Sequence, residues 1–186
     1  MLVTTDGIVL SLQPHSDKAH ILHTYTRAGG RVNYMVYGLG RKNAAGTYSP
    51  LSILQLTTDG KSVRTAHLSY VPEGILSDPY KRTIALFISE VLYHTLRYPM
   101  TDERVYDFIA ASIEALDRST EPSNCHLQFL IGFASQLGFA MEKEPEMPGT
   151  RKERQALLRS LCDYFSEHVE TWQTPKSLDI LMEVFD

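Results

Sequence analysis

At 186 residues, 43% hydrophobic and 22% charged, the chain has the size and balance of one soluble domain or two small ones. Two cysteines, Cys125 and Cys162, imply no disulfide framework, and no apolar run approaches the ~20 residues that span a bilayer. The net charge of −4 is uneven: Met1 to Val71 holds seven basic and three acidic residues, while the remainder carries −8, a contrast that points to two units with different partners.

The start, "MLVTTDGIVLSLQPHSD", lacks the basic region and the apolar length of a secretory signal, so a cytoplasmic location with no membrane contact is expected. "GIVLSLQ" sets Ile8, Leu10 and Leu12 on one face at period two. "AHILHTYT" is rich in β-branched and aromatic residues and runs into "RAGG", a turn. "RVNYMVY" alternates, with Val32, Tyr34 and Val36 on one face and Arg31, Asn33, Met35 and Tyr37 on the other. After the loop "GLGRKNAAGTYSP", "LSILQLT" and "SVRTAHLSY" form a hairpin around Asp59-Gly60. Five short strands in about seventy residues suit a small barrel of the OB type.

From Asp78-Pro79, a cap followed by proline at the first helical position, the period changes to 3.6. Ile84, Phe87, Ile88, Val91 and Thr95 mark one helix. Thr101 is the expected cap of a second, carrying Val105, Ile109, Ile113 and Leu116. A third, with Leu127, Leu130, Ile131 and Ala134, is also apolar at Phe129 and Phe133 and so reads as central and buried. Leu157, Leu158, Leu161, Tyr164 and Phe165 mark a fourth. A last helix, starting at Thr174-Pro175, buries Leu178, Leu181, Met182 and Phe185. The expected fold class is α+β: a five-stranded OB-type β-barrel over residues 1–75 and an α-helical bundle over 76–186.

Catalytic motifs are missing. There is no G-x-S-x-G, H-E-x-x-H, C-x-x-C or Walker loop, so no enzyme, no catalytic residue and no cofactor is expected. "GLGRKN" has Asn43 where a dinucleotide loop needs a third glycine, and no helical pattern follows it. Cys125, His126, Cys162 and His168 would build a zinc site only if their helices met, and neighbours on a helix point about 100° apart. No metal is expected.

The strongest physical signal is the acid-free window from Lys18 to Thr58. It holds Arg27, Arg31, Arg41 and Lys42 beside Tyr25, Tyr34, Tyr37 and Tyr48. Single-stranded nucleic acid binds where a basic groove follows phosphates and rings stack on bases. Tyr34 shares the Val32 face and reads as core, whereas Tyr37 is the better stacking candidate. Charges on exposed strands also serve as solubility devices, so the residues alone leave both readings open.

The order of signals resembles the RecO family of recombination mediators, in the form found in Bacteroidetes. "GIVL", then "SDKAHILHTYTRAGGRV", the loop "YGLGRKNAAGTYSPLSILQL", "SDPYKRTIALFISEVLY", "FLIGFASQLGF" and "KSLDILMEVFD" follow the family's sequence of elements. The resemblance implies an OB barrel and a helical domain in a non-enzymatic DNA repair protein. Such a protein binds single-stranded DNA and anneals complementary strands. With a RecR-type partner it helps load a recombinase onto DNA covered by single-strand-binding protein, whose acidic tail the family contacts. By position, Arg27, Arg31, Arg41 and Lys42 fall in the implied DNA-binding region, with Lys61, Arg64 and Tyr37 added. Two departures stand out. The family's four-cysteine zinc module has no counterpart in "GFAMEKEPEMPGT", which is short, and "HLQFLIGFASQLG" has no basic residue to pair with an acidic tail. The competing reading is a protein-interaction adaptor without nucleic-acid binding. The two differ in whether the basic side chains share one face of the barrel.

Overall fold

The computed structural model describes residues 1–39 and 46–184. Strands β1 (Val3–Ser16), β2 (Ala19–Thr26), β3 (Gly30–Tyr37), β4 (Ile53–Thr58) and β5 (Val63–Tyr70) form one antiparallel sheet in the order β3-β2-β1-β4-β5. The two edges approach each other at a single point. Met35 N–H donates to the Lys61 carbonyl at 2.8 Å, and Met35 bridges Ser62 in parallel. The sheet therefore curls without closing, as in a partly open OB-type barrel.

β1 organises this half because it has two partners. Its first residues pair with β4 and its later ones with β2. The register slips between Val9 and Ser11, so Leu10 is the extra residue of a bulge. This corrects the expected shared face of Ile8, Leu10 and Leu12. Ile8 and Leu10 face the helices, whereas Leu12 packs with Val9 into the barrel interior. Val9, Leu22, Tyr34, Val36, Tyr48, Leu54 and Leu56 fill that interior.

The helices are α1 (Glu73–Ser77), α2 (Pro79–Thr95), α3 (Glu103–Arg118), α4 (Cys125–Gln136), α5 (Arg151–His168) and α6 (Leu178–Val184). Asp78 caps α2, accepting from Tyr80 N–H at 2.8 Å, and a Thr150/Glu153 capping box starts α5. The expected caps differ at two places. Asp102, rather than Thr101, accepts from Arg104 N–H at 2.9 Å and starts α3. α6 begins at Leu178, later than Thr174-Pro175, because Ser177 is held by a carboxylate from another helix: Glu90 Oε2 accepts from Ser177 N–H at 2.9 Å and from its hydroxyl at 2.8 Å. Phe185 lies outside the described residues.

α4 is the buried central helix, with Leu127, Leu130, Phe133 and Ala134 fully enclosed. Its cluster continues into the barrel through Ile8, Leu10, Tyr25 and Ile53. The junction is also polar. Asp117 of α3 accepts from Tyr70 Oη at 2.7 Å and Ile75 N–H at 2.8 Å, and its carbonyl accepts from the buried Lys81 Nζ at 2.7 Å. Among the described residues no helix is long and apolar enough to cross a membrane.

Candidate nucleic-acid interface

β1, β2 and β3 align in cross-strand rows: Ile8–Tyr25–Arg31, Ser11–His23–Asn33, Gln13–Ile21–Met35 and Ser16–Ala19–Tyr37. Alternation places Arg31, Asn33, Met35 and Tyr37 on the face opposite the barrel core. Among the described residues, Tyr93 of α2 meets this face at Arg31, His23 and Gln13.

Arg27 and Arg31 are engaged by the helices. The Arg27 guanidinium pairs with Asp107 of α3 at 2.5 Å and lies 4.4 Å from the centroid of the Tyr106 ring. Tyr25 stacks on that same ring at 6.4 Å. Burial first, then the nearby Asp6 carboxylate, push the Tyr106 hydroxyl up to about 12. Arg31 lies 4.5 Å from the Tyr93 ring of α2 and donates to the Tyr93 carbonyl at 3.4 Å. His23 meets Tyr93 edge-on at 5.1 Å and its Nδ1 is 2.7 Å from Asn33 Oδ1. Two of the expected DNA ligands therefore hold the barrel against the helices through cation–π contacts.

The far end of the face is open. Tyr37 is 61% exposed, at the end of β3. Two turns flank it. Gly38 N–H donates to the Lys18 carbonyl in the β1–β2 turn at 3.1 Å, and Lys61 in the β4–β5 turn bonds through its carbonyl to Met35, two residues before Tyr37. The β4–β5 turn is built by Asp59, whose carboxylate accepts from Ser62 N–H at 2.7 Å and Lys61 N–H at 3.0 Å. These backbone bonds, with Arg64 at 2.6 Å, pull its pKa down to about 2. Asp59 thereby neutralises Arg64 and leaves Lys61 on the exposed crest of the turn. Lys18 and Lys61 make no ion pair among the described residues. Lys18 is a further candidate that the sequence reading leaves out; its signal is its place in the β1–β2 turn, at the edge of the acid-free window. Arg41 and Lys42 lie outside the described residues, four and five positions beyond Tyr37.

The cysteine and histidine candidates are dispersed. His126 is buried beside Phe87, and desolvation lowers its pKa to about 3. His168 is exposed and lies 4.2 Å from the Tyr164 ring. Burial pushes the Cys162 thiol up to about 12, away from the thiolate a metal would need. Among the described residues no three His, Cys, Asp or Glu side chains gather as ligands.

Two family models match this chain, one over the barrel and one over the first helices. Residues 1–80 match Recombination protein O N terminal, and residues 76–144 match Recombination protein O C terminal. The chain belongs to the RecO family. DNA repair protein RecO from Porphyromonas gingivalis is 28% identical over 245 aligned positions, with both chains covered in full. The RecO proteins of Flavobacterium johnsoniae and Phocaeicola vulgatus are 27% and 28% identical over 240 positions, again with full coverage. These alignments run longer than the 186 residues present here, so the RecO relatives carry residues that this chain does not. The C-terminal match stops at residue 144, in the linker before α5.

Proposed function

We propose that this RecO family member is a recombination mediator. It binds single-stranded DNA, anneals complementary strands and helps load a recombinase onto DNA covered by single-strand-binding protein. It acts in the cytoplasm without catalysing a reaction, alongside a RecR-type partner. The observation that carries the reading is the open end of the barrel in a DNA repair family. OB-type barrels bind oligonucleotides on the β2–β3 face and with the β1–β2 and β4–β5 loops. In this chain those loops carry Lys18 and Lys61, and Tyr37 stands on the face between them. Arg41 and Lys42 follow Tyr37 closely in sequence and extend the same charge. Arg64 supports the turn, while Arg27 and Arg31 add charge behind the contact surface. Contact with the acidic tail of single-strand-binding protein belongs to the same proposal.

Four phosphate contacts from Lys18, Lys61, Arg41 and Lys42 give an expected log K against log salt slope of roughly −3 on single strands, at about −0.7 each. Fluorescence anisotropy with labelled oligo-dT at a series of salt concentrations measures it. Arg41→Ala with Lys42→Ala should shallow the slope by about 1.4 and leave the fold intact. An unchanged slope would favour the second reading, an adaptor without nucleic-acid binding. That reading draws on Arg27 and Arg31 being committed to the helices.

A further inference from the structure

A cleft of about 450 Å³ lies between the barrel and the helices, between β1 on one side and α2 with the segment before α6 on the other. This is the size range of small-molecule and cofactor sites, which favour such junctions. Apolar surface comes from Leu12 and Pro50 on the barrel side and from Leu86 of α2. The amides of Gln13 and Gln173 stand beside this surface, with Lys176 at the rim. Gln13 belongs to the row that continues through Ile21 to Met35, next to the row that ends at Tyr37. Gln13 thus brings one edge of the cleft to the face that holds the open end of the barrel, while Leu12 and Tyr48 reach it from the barrel interior.

Its lining carries one carboxylate, Glu90, one ammonium, Lys176, and the His94 imidazole. His94 lines the cleft, and its pKa is lowered by burial, then by Arg97, with Arg31 and Lys176 adding to the effect against the opposing Glu90. Three cations and one carboxylate therefore act on this one ring. Glu90 is itself occupied by Ser177 through Oε2. The His94 Nδ1 is buried without a hydrogen-bond partner among the described residues.

We propose that this cleft takes one nucleotide of the bound single strand: a base between Leu12 and Pro50 on the barrel side and Leu86 of α2, beside the two amides, and its phosphate at Lys176. The inference rests on the barrel binding single-stranded DNA and extends that path onto the helical half. It gives Lys176, from the acidic part of the chain, a role that composition does not signal. Amides and apolar surface accept any base, so the site should not discriminate strongly by sequence.

The test uses oligo-dT carrying 5-iododeoxyuridine, photo-crosslinked to the full chain and mapped by mass spectrometry. Crosslinks are expected both near Tyr37 and within Leu86–His94. Thr174→Trp, which fills the cleft mouth, should erase the second set and keep the first. Lys176→Glu should shallow the salt slope by about 0.7. Unfolding midpoints of both variants should match the parent. Crosslinks confined to Tyr37, unaffected by Thr174→Trp, would overturn the cleft site and leave the barrel reading standing. Absence of both crosslinks and binding would remove both. Protection of the cleft from hydrogen exchange by an acidic peptide, but not by oligo-dT, would overturn the nucleotide in favour of a protein partner.

Discussion

Two ends of one barrel face each carry two cations beside tyrosines and use them differently. At the Tyr25 end, Arg27 and Arg31 lie over Tyr106 and Tyr93 and join two halves of the molecule. At the Tyr37 end, Lys18 and Lys61 are exposed in turns beside an exposed ring. The separation follows from partners. An arginine can spread its planar group over an aromatic ring and still fork to a carboxylate, which makes it suited to a half-buried seam. A lysine keeps its compact, hydrated charge at the surface.

This contrast can be broken most severely at the seam. Tyr25→Ala should cost about 3 kcal/mol in chemical denaturation, because the ring is almost wholly buried between the strand and α3. Gly30→Ala should cost about 2 kcal/mol: the residue has φ 62°, and a Cβ would collide with the Met100 carbonyl. Both should leave the salt slope of DNA binding unchanged under folding conditions. If either alters the slope while the protein is folded, the two ends are not separate.

Acid should act on the helical side. His126 is neutral when folded, with a pKa near 3, while an unfolded histidine titrates near 6.5. The unfolded state therefore binds more protons between these values. The stability this group contributes is present above about pH 6.5 and is lost as pH falls, by up to about 1.4 kcal/mol per pH unit. Denaturation midpoints between pH 7 and 5 measure it, and His126→Phe should flatten the profile. The smallest effect on stability is expected at the open end. Lys18→Ala with Lys61→Ala should shift stability by less than about 0.5 kcal/mol yet shallow the salt slope by about 1.4. A stability loss as large as that of Tyr25→Ala would erase the contrast.

Much of this architecture is legible in period and punctuation. The alternation of β3 correctly separates Tyr34 from Tyr37, and Asp78-Pro79 marks the true start of α2. What stays hidden is tertiary. The partners of Arg27 and Arg31 lie some sixty to eighty residues away, at Tyr93, Tyr106 and Asp107, so no local pattern distinguishes a seam arginine from a surface one. The bulge at Leu10 escapes because alternating apolar residues look the same with or without an inserted residue. The late start of α6 depends on Glu90, supplied by another helix.

β1 has a further consequence. With Val9 turned into the barrel and Ile8 and Leu10 turned toward α2 and its neighbours, a single strand is common property of both hydrophobic clusters. Neither half can melt without stripping one side of it. Heat should therefore produce one calorimetric transition, with amides of Ile8 to Leu10 among the slowest to exchange. A barrel cut free after residue 75 would present Ile8, Leu10, Tyr25 and Ile53 to water as an adhesive sheet face. The helical half acts as a lifelong chaperone for the strand on which its companion is built.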